Sequence, residues 1–133
     1  MANKKELLYA KDLPIYSAQR KLTQCCIHIM LHCQRDLKHT LAQELVHLAY
    51  QQKLLIAKVN RESAKADLLR EFLDNHNIIE ETIKDLTELG AVEEKYYIEA
   101  IPLLVNIQRQ AGGWFKTTQA DQAGVRPIQP ESA

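Results

Sequence analysis

From Arg35 to Arg61 the chain reads RDLKHTLAQELVHLAYQQKLLIAKVNR. Leu41, Leu45, Leu48, Leu55 and Val59 recur there at steps of three and four once Gln52 takes the place between them. That spacing marks one buried helix face and predicts a helix of about six turns. Gly and Pro are absent from Leu37 to Val59, and Lys38, Lys53 and Lys58 read as lying off the stripe. A helix this apolar on one side needs partners, because propensity alone leaves isolated helices marginal.

The remaining segments supply them. Ala18, Leu22, Cys25 or Cys26, Ile29 and Cys33 form a helical stripe from Pro14, which suits a first turn, to about Gln34. Arg35 and Asp36 make a short connection, and Asn60 to Glu62 the next break. Ser63 is placed to cap a third helix with Leu68, Phe72, His76, Ile79, Ile83 and Leu86 in its stripe and Gly90 as its stop. A fourth helix from near Val92 presents Tyr97, Ala100 or Ile101, Leu104, Ile107, Ala111 and Trp114. Pro102 predicts a kink or broken turn around Tyr97 to Ile101. Gly112 and Gly113 predict an end or a loosening there, with Trp114 folded back against the bundle end.

The pattern therefore predicts an all-α protein, an antiparallel up-down-up-down four-helix bundle over residues 13–117. Residues 1–12 read as a loose basic lead and the polar residues 118–133 as a disordered tail. A length of 133 residues suits one domain. The N-terminus lacks a signal-peptide core, and nowhere do about eighteen apolar residues run together, so a soluble, cytoplasmic protein with no membrane partner is expected.

Charge changes the picture more than composition does. The formal net charge is +0, yet residues 1–21 carry five Lys/Arg against two acids and residues 34–65 carry six against three. Residues 66–99 reverse this, with ten acids against three bases, so the sequence predicts a basic side formed by the first two helices and an acidic third helix. Arg20, Lys21, Arg35, Lys38 and Lys53 are candidate nucleic-acid or partner contacts, with Lys58, Arg61 and Lys65 beyond them. Tyr16 and Tyr50 are available to stack on bases, although half-buried packing is the plainer role for both.

Other chemistry is thinly represented. Cys25, Cys26 and Cys33 are an odd set on a single helix and read as reduced, buried thiols. Cys25, His28 and His32 share one helix edge and would clip a zinc ion only with a fourth ligand from His39 or Asp36. Glu44-x-x-His47 has the spacing of a di-iron ligand pair, but no second copy accompanies it. Gln52, Asn75 and His76 interrupt apolar stripes, which predicts a hydrogen-bonded layer that sets helix register. No phosphate loop or nucleophile elbow occurs, so no catalytic residue, no metal ligand and no cofactor is assigned.

The segment LKHTLAQELVHLAYQQKLLIAKVNR, followed by NIQRQAGGWFK, resembles the accessory variability determinant (Avd) proteins of diversity-generating retroelements and the related intervening-sequence four-helix bundle proteins. The matching positions are Lys38, Thr40 and Leu41 at the start of the second helix, and Arg109, Gly112, Gly113 and Trp114 at the end of the fourth. The resemblance covers roughly residues 14–117; His39 and Ala42 stand where that family tends to have an aromatic residue and a glycine. It implies a non-enzymatic partner of the element's reverse transcriptase that also contacts template RNA, with DNA a further candidate ligand. It also implies a ring-like homopentamer, and with Arg109 it brings Lys116 into the contact set. Tyr50, Leu54 and Ile56, which do not all fit one stripe, agree with an oligomer. An intervening-sequence-type interaction protein without a reverse transcriptase partner and a metal-binding bundle are the alternatives.

Overall fold

A computed structural model of the protein describes residues 13–61 and 65–122. The basic lead, the Ser63 cap and residues 123–133 of the tail lie outside the described residues. Within them the protein is all-helical: α1 (Pro14–His32), a single turn α2 (Arg35–Lys38), α3 (Leu41–Arg61), α4 (Lys65–Glu88) and α5 (Glu94–Gln122). The four long helices close a bundle in which α1 packs on α3, α3 on α4, α4 on α5 and α5 on α1.

The predicted stripes become the core. Leu22, Cys26, Ile29, Leu45, Val59, Phe72, Ile79, Ile83, Leu86 and Ile107 are buried, as are the smaller Ala42, Ala49 and Ala100. Ile56 is buried too, so it is not surplus apolar surface; Tyr50 and Leu54 are. The buried face of α3 is wider than a single stripe because it meets both α1 and α4.

The long helix expected from Arg35 is two helices. Lys38 stands seven residues before Leu45, so an uninterrupted α3 would carry its ammonium onto the buried stripe rather than off it. The turn at His39 and Thr40 removes it from that phase and leaves it half-buried at the rim. Extended backbone at Cys33 and Gln34 precedes the turn. The Gln34 N–H donates to the Ala91 carbonyl at 3.0 Å, which ties this link to the one between α4 and α5.

Gly90 stops α4 as expected. Its φ of +73° is the left-handed conformation glycine adopts freely. The Ala91 N–H bonds the Leu86 carbonyl at 2.9 Å and the Gly90 N–H bonds that of Thr87 at 3.0 Å, the paired bonds of a Schellman cap.

For the last helix the expectations at the glycines, the tail boundary and Trp114 are corrected, and of the two outcomes expected at Pro102 the broken turn does not occur. α5 runs unbroken through Pro102, Gly112 and Gly113 to Gln122. Pro102 and Ile98 are both exposed, so the carbonyl that loses its partner lies where water reaches it. The glycines stay helical because Ile107, Ala111 and Thr118, all buried, hold the segment on both sides of them. Residues 118–122, expected in the tail, are therefore helical. Trp114 stays on the helix, half-buried, and with Leu13, Pro14, Ile15 and Gln110 it lines a cleft of about 220 Å³.

Candidate nucleic-acid interface

The cations that the sequence brings forward do not gather in one place. Lys53, Lys58 and Arg61 lie in the last turns of α3, whereas Arg35 and Lys38 belong to α2, ahead of its first turn. About 30 Å of chain, at 1.5 Å per helical residue, separates Lys38 from Lys58. Arg20 and Lys21 are both exposed but diverge, because successive residues of a helix point about 100° apart. Lys65 is half-buried at the start of α4, and Arg109 and Lys116 are exposed in the second half of α5. Lys58 borders a groove between α3 and α4 that Glu71 and Asn75 also line.

Charge separates between helices, with seven Lys/Arg against two Asp/Glu over residues 13–61 and six against eleven over residues 65–122, and it is also graded from end to end. Tyr16 beside Lys53, Arg70 over Phe115 and the cleft of Pro14 with Trp114 mark one end of the bundle. His32 stacked on Tyr96 and Gln34 bonded to Ala91 mark the other. Residues 53–61, 65–75 and 105–122, toward the first end, carry seven Lys/Arg against four Asp/Glu. Residues 77–103, toward the second, carry two Lys against seven Asp/Glu. Arg35 and Lys38 thus sit near the second end, away from Lys53, Lys58 and Arg61 along the bundle.

One group at the seam of α1 and α3 combines charge with aromatic faces. The Lys53 ammonium lies 5.0 Å from the Tyr50 ring centroid and 5.8 Å from that of Tyr16. Tyr50 is 48% exposed, and the exposed Arg20 follows Tyr16 by one turn of α1. Flat rings beside an ammonium and a guanidinium offer stacking to a base and charge to its phosphate. Arg70, absent from the candidates above, has its guanidinium 5.5 Å from the Phe115 ring and pairs with Asp67 at 3.2 Å. Arg70 and Phe115 are close in space but distant in sequence, which local pattern does not reveal.

The zinc set does not assemble. His32 donates from Nδ1 to the His28 carbonyl at 2.8 Å and stacks on Tyr96 with ring centroids 5.2 Å apart. Among the described residues no three His, Cys, Asp or Glu side chains gather to hold a metal ion. Burial, and more weakly the charge of Glu99, pushes the Cys25 thiol up, and burial does the same to Cys26. Thiols held protonated are poor nucleophiles and poor ligands. No helix among the described residues is long and apolar enough to cross a membrane. No known family, curated protein or solved structure matches this chain.

At mid-height the bundle holds the expected polar layer, larger than the sequence indicated. Gln52 Nε2 donates to Gln19 Oε1 and, at 3.4 Å, to His76 Nδ1. Asn75 Nδ2 donates to Gln52 Oε1 at 3.4 Å and to the Leu48 carbonyl at 3.1 Å. Gln19 Nε2 donates to Thr23 Oγ1 and to the Ala49 carbonyl, each at 3.3 Å. His76 Nε2 lies 2.9 Å from the Leu104 carbonyl, which only accepts, so the neutral ring carries its proton on Nε2 and accepts at Nδ1. Burial lowers the His76 pKa from its ordinary value, against the opposing pull of the Leu104 bond and the Glu80 charge. Gln19, Gln52 and His76 are each 0% exposed, and every donor has an acceptor in one consistent sense around all four long helices.

Proposed function

We propose that this protein is a non-enzymatic accessory factor of a diversity-generating retroelement, binding the reverse transcriptase and its template RNA during mutagenic copying. The observation that carries the RNA contact is the Lys53 ammonium between the Tyr16 and Tyr50 rings, beside Arg20. A cation and stacking faces in one place suit single-stranded nucleic acid better than charge alone. The motif residues of the resemblance lend support: Lys38 and Leu41 flank the turn that opens α3, Thr40 lies in it, and Arg109 and Trp114 lie on α5. The short links between the long helices favour the antiparallel up-down-up-down arrangement. Exposed apolar residues on α3 and on α5 favour a closed homo-oligomer, for which the resemblance implies five copies.

Titration of labelled template RNA at about 50 and about 200 mM salt tests this reading. Wild type should weaken with salt. Tyr50→Ala with Lys53→Glu should weaken binding about tenfold at the lower salt, as expected when one stacking ring and one phosphate-pairing cation are removed. Glu80→Gln with Asp85→Gln at the acidic end should leave binding unchanged or tighter. Equal binding by the Tyr50 and Lys53 variant would reduce this seam to a solvated surface and favour a general interaction protein of the intervening-sequence type.

A further inference from the structure

Among the described residues, α3, α4 and α5 run on past the start of α1. As α1 steps back from Gln19 to Tyr16, its α3 neighbours step on from Ala49 to Lys53, and α3 then continues to Arg61. Pro14 and Trp114 line one cleft, and α5 continues from there to Gln122, about 12 Å further at 1.5 Å per residue. α4 flanks that extension, with Arg70 over Phe115 and its own start at Lys65. Since α1 packs on α3 and α5, the chain ahead of Pro14 arrives at the corner where those two run on, with the Trp114 cleft at its edge.

The cleft suits an apolar side chain. Leu13 and Trp114 pack against the core yet stay half-buried, and the Gln110 amide is engaged by Asn106 Oδ1 on its own helix. A volume of about 220 Å³ exceeds the ~150 Å³ that holds a benzene ring, so a leucine or tyrosine side chain fits. The segment before Leu13, MANKKELLYAKD, carries one apolar run, Leu7, Leu8 and Tyr9, between charged neighbours. From Leu13 back to Leu8 the chain spans at most about 17 Å, so one reversal brings Leu8 to the cleft that Leu13 itself lines. A tether this short holds the run near its site at roughly millimolar effective concentration. The segment after Gln122 has Val125 and Ile128, but it starts about 12 Å beyond Trp114 and would have to come back along α5.

We infer that the run of Leu7, Leu8 and Tyr9 seats in the Trp114 cleft of its own chain, with Leu8 against the indole. The extended backbone of Leu13 (φ −82°, ψ 139°) and Pro14 at the first turn stop the segment from continuing α1, which leaves it free to turn back over the cleft. Burial of the run drives the contact, while Lys4, Lys5, Lys11 and the acids beside them keep their charges in water. The contact is separate from the RNA seam, which lies between α1 and α3, whereas this cleft lies between α1 and α5.

Trp114 is the single tryptophan of the chain, so its emission reports the cleft directly. Acrylamide quenching is compared in the full chain, in Leu7→Ser with Leu8→Ser, in Lys4→Ser with Lys5→Ser, and in Val125→Ser with Ile128→Ser. The Leu7 and Leu8 variant should emit at longer wavelength and be quenched about twice as strongly, because one face of the indole returns to water. The other two variants should match wild type. None of these positions lies in α1 to α5, so the helical circular dichroism should be the same in all four proteins. Unchanged quenching in the Leu7 and Leu8 variant overturns the inference. A change confined to the Val125 and Ile128 variant overturns it too and assigns the cleft to the C-terminal segment. Wild-type quenching should not depend on protein concentration; quenching that weakens as concentration rises would put a second copy over Trp114 in place of the chain's own segment.

Discussion

Gln52→Leu is expected to lower the unfolding free energy by about 3 kcal/mol or more, although leucine is apolar and similar in size. The substitution removes the donor that serves both Gln19 Oε1 and His76 Nδ1, and the acceptor that Asn75 uses. Gln19 and His76 stay buried with an atom unpaired, at roughly 1–3 kcal/mol each, and the extra apolar burial offsets only part of that. Replacing Gln19, Gln52 and His76 together by Leu, Leu and Phe should cost less than the single change, since no partner among the three is then orphaned. Urea unfolding of wild type and the two variants decides between these outcomes. A Gln52→Leu variant as stable as wild type would mean that water or a shifted side chain replaces the layer.

Stability is also expected to fall as the pH drops below about 6.5, the ordinary histidine value. The folded state lowers the His76 pKa, so over this range the unfolded chain binds more protons than the folded one. Unfolding free energy then rises with pH, and the stabilisation present above about pH 6.5 is lost progressively toward the lower folded-state value. The geometry gives the same sign. A proton on Nδ1 would face the Gln52 Nε2 donor, and Nε2 is committed to the Leu104 carbonyl. Glu80, which favours the charged ring, opposes burial but is the smaller influence. Urea midpoints at about pH 7.5 and about pH 5 should differ more for wild type than for His76→Leu. The exposed His28, His32, His39 and His47 remain in both proteins and cancel from the comparison. Equal pH dependence in the two proteins would remove His76 as the cause.

The sequence carried the helices and most of the core because burial there follows a strict period. Leu45, Phe72 and Ile83 each fall on such a stripe, and even Gln52 and His76 betrayed their depth by interrupting that period. Gln19 and Thr23 did not, because a glutamine and a threonine beside Ala18 and Leu22 look like the polar flank of a helix. The helix through Gly112 and Gly113 was hidden for a related reason: their propensity is local, while the burial of Ala111 and Thr118 that overrides it is not. Charge was legible in part: counting Lys and Arg by segment separates α1–α3 from α4 and α5, but the grading of charge along the bundle depends on how the links at Gln34 and Gly90 turn the chain. Lys58 and Glu71 lining one groove, and Lys53 near two tyrosine rings, are products of the folding and of no motif.

The most direct measurement is whether a reverse transcriptase encoded beside this gene forms a complex with the protein and its template RNA, read by co-elution and by the yield of complementary DNA. The account predicts a stable complex, with DNA synthesis that depends on the protein and that drops when Lys53→Glu is combined with Tyr50→Ala. A polymerase that neither co-elutes with the protein nor changes its DNA yield when the protein is added would contradict it.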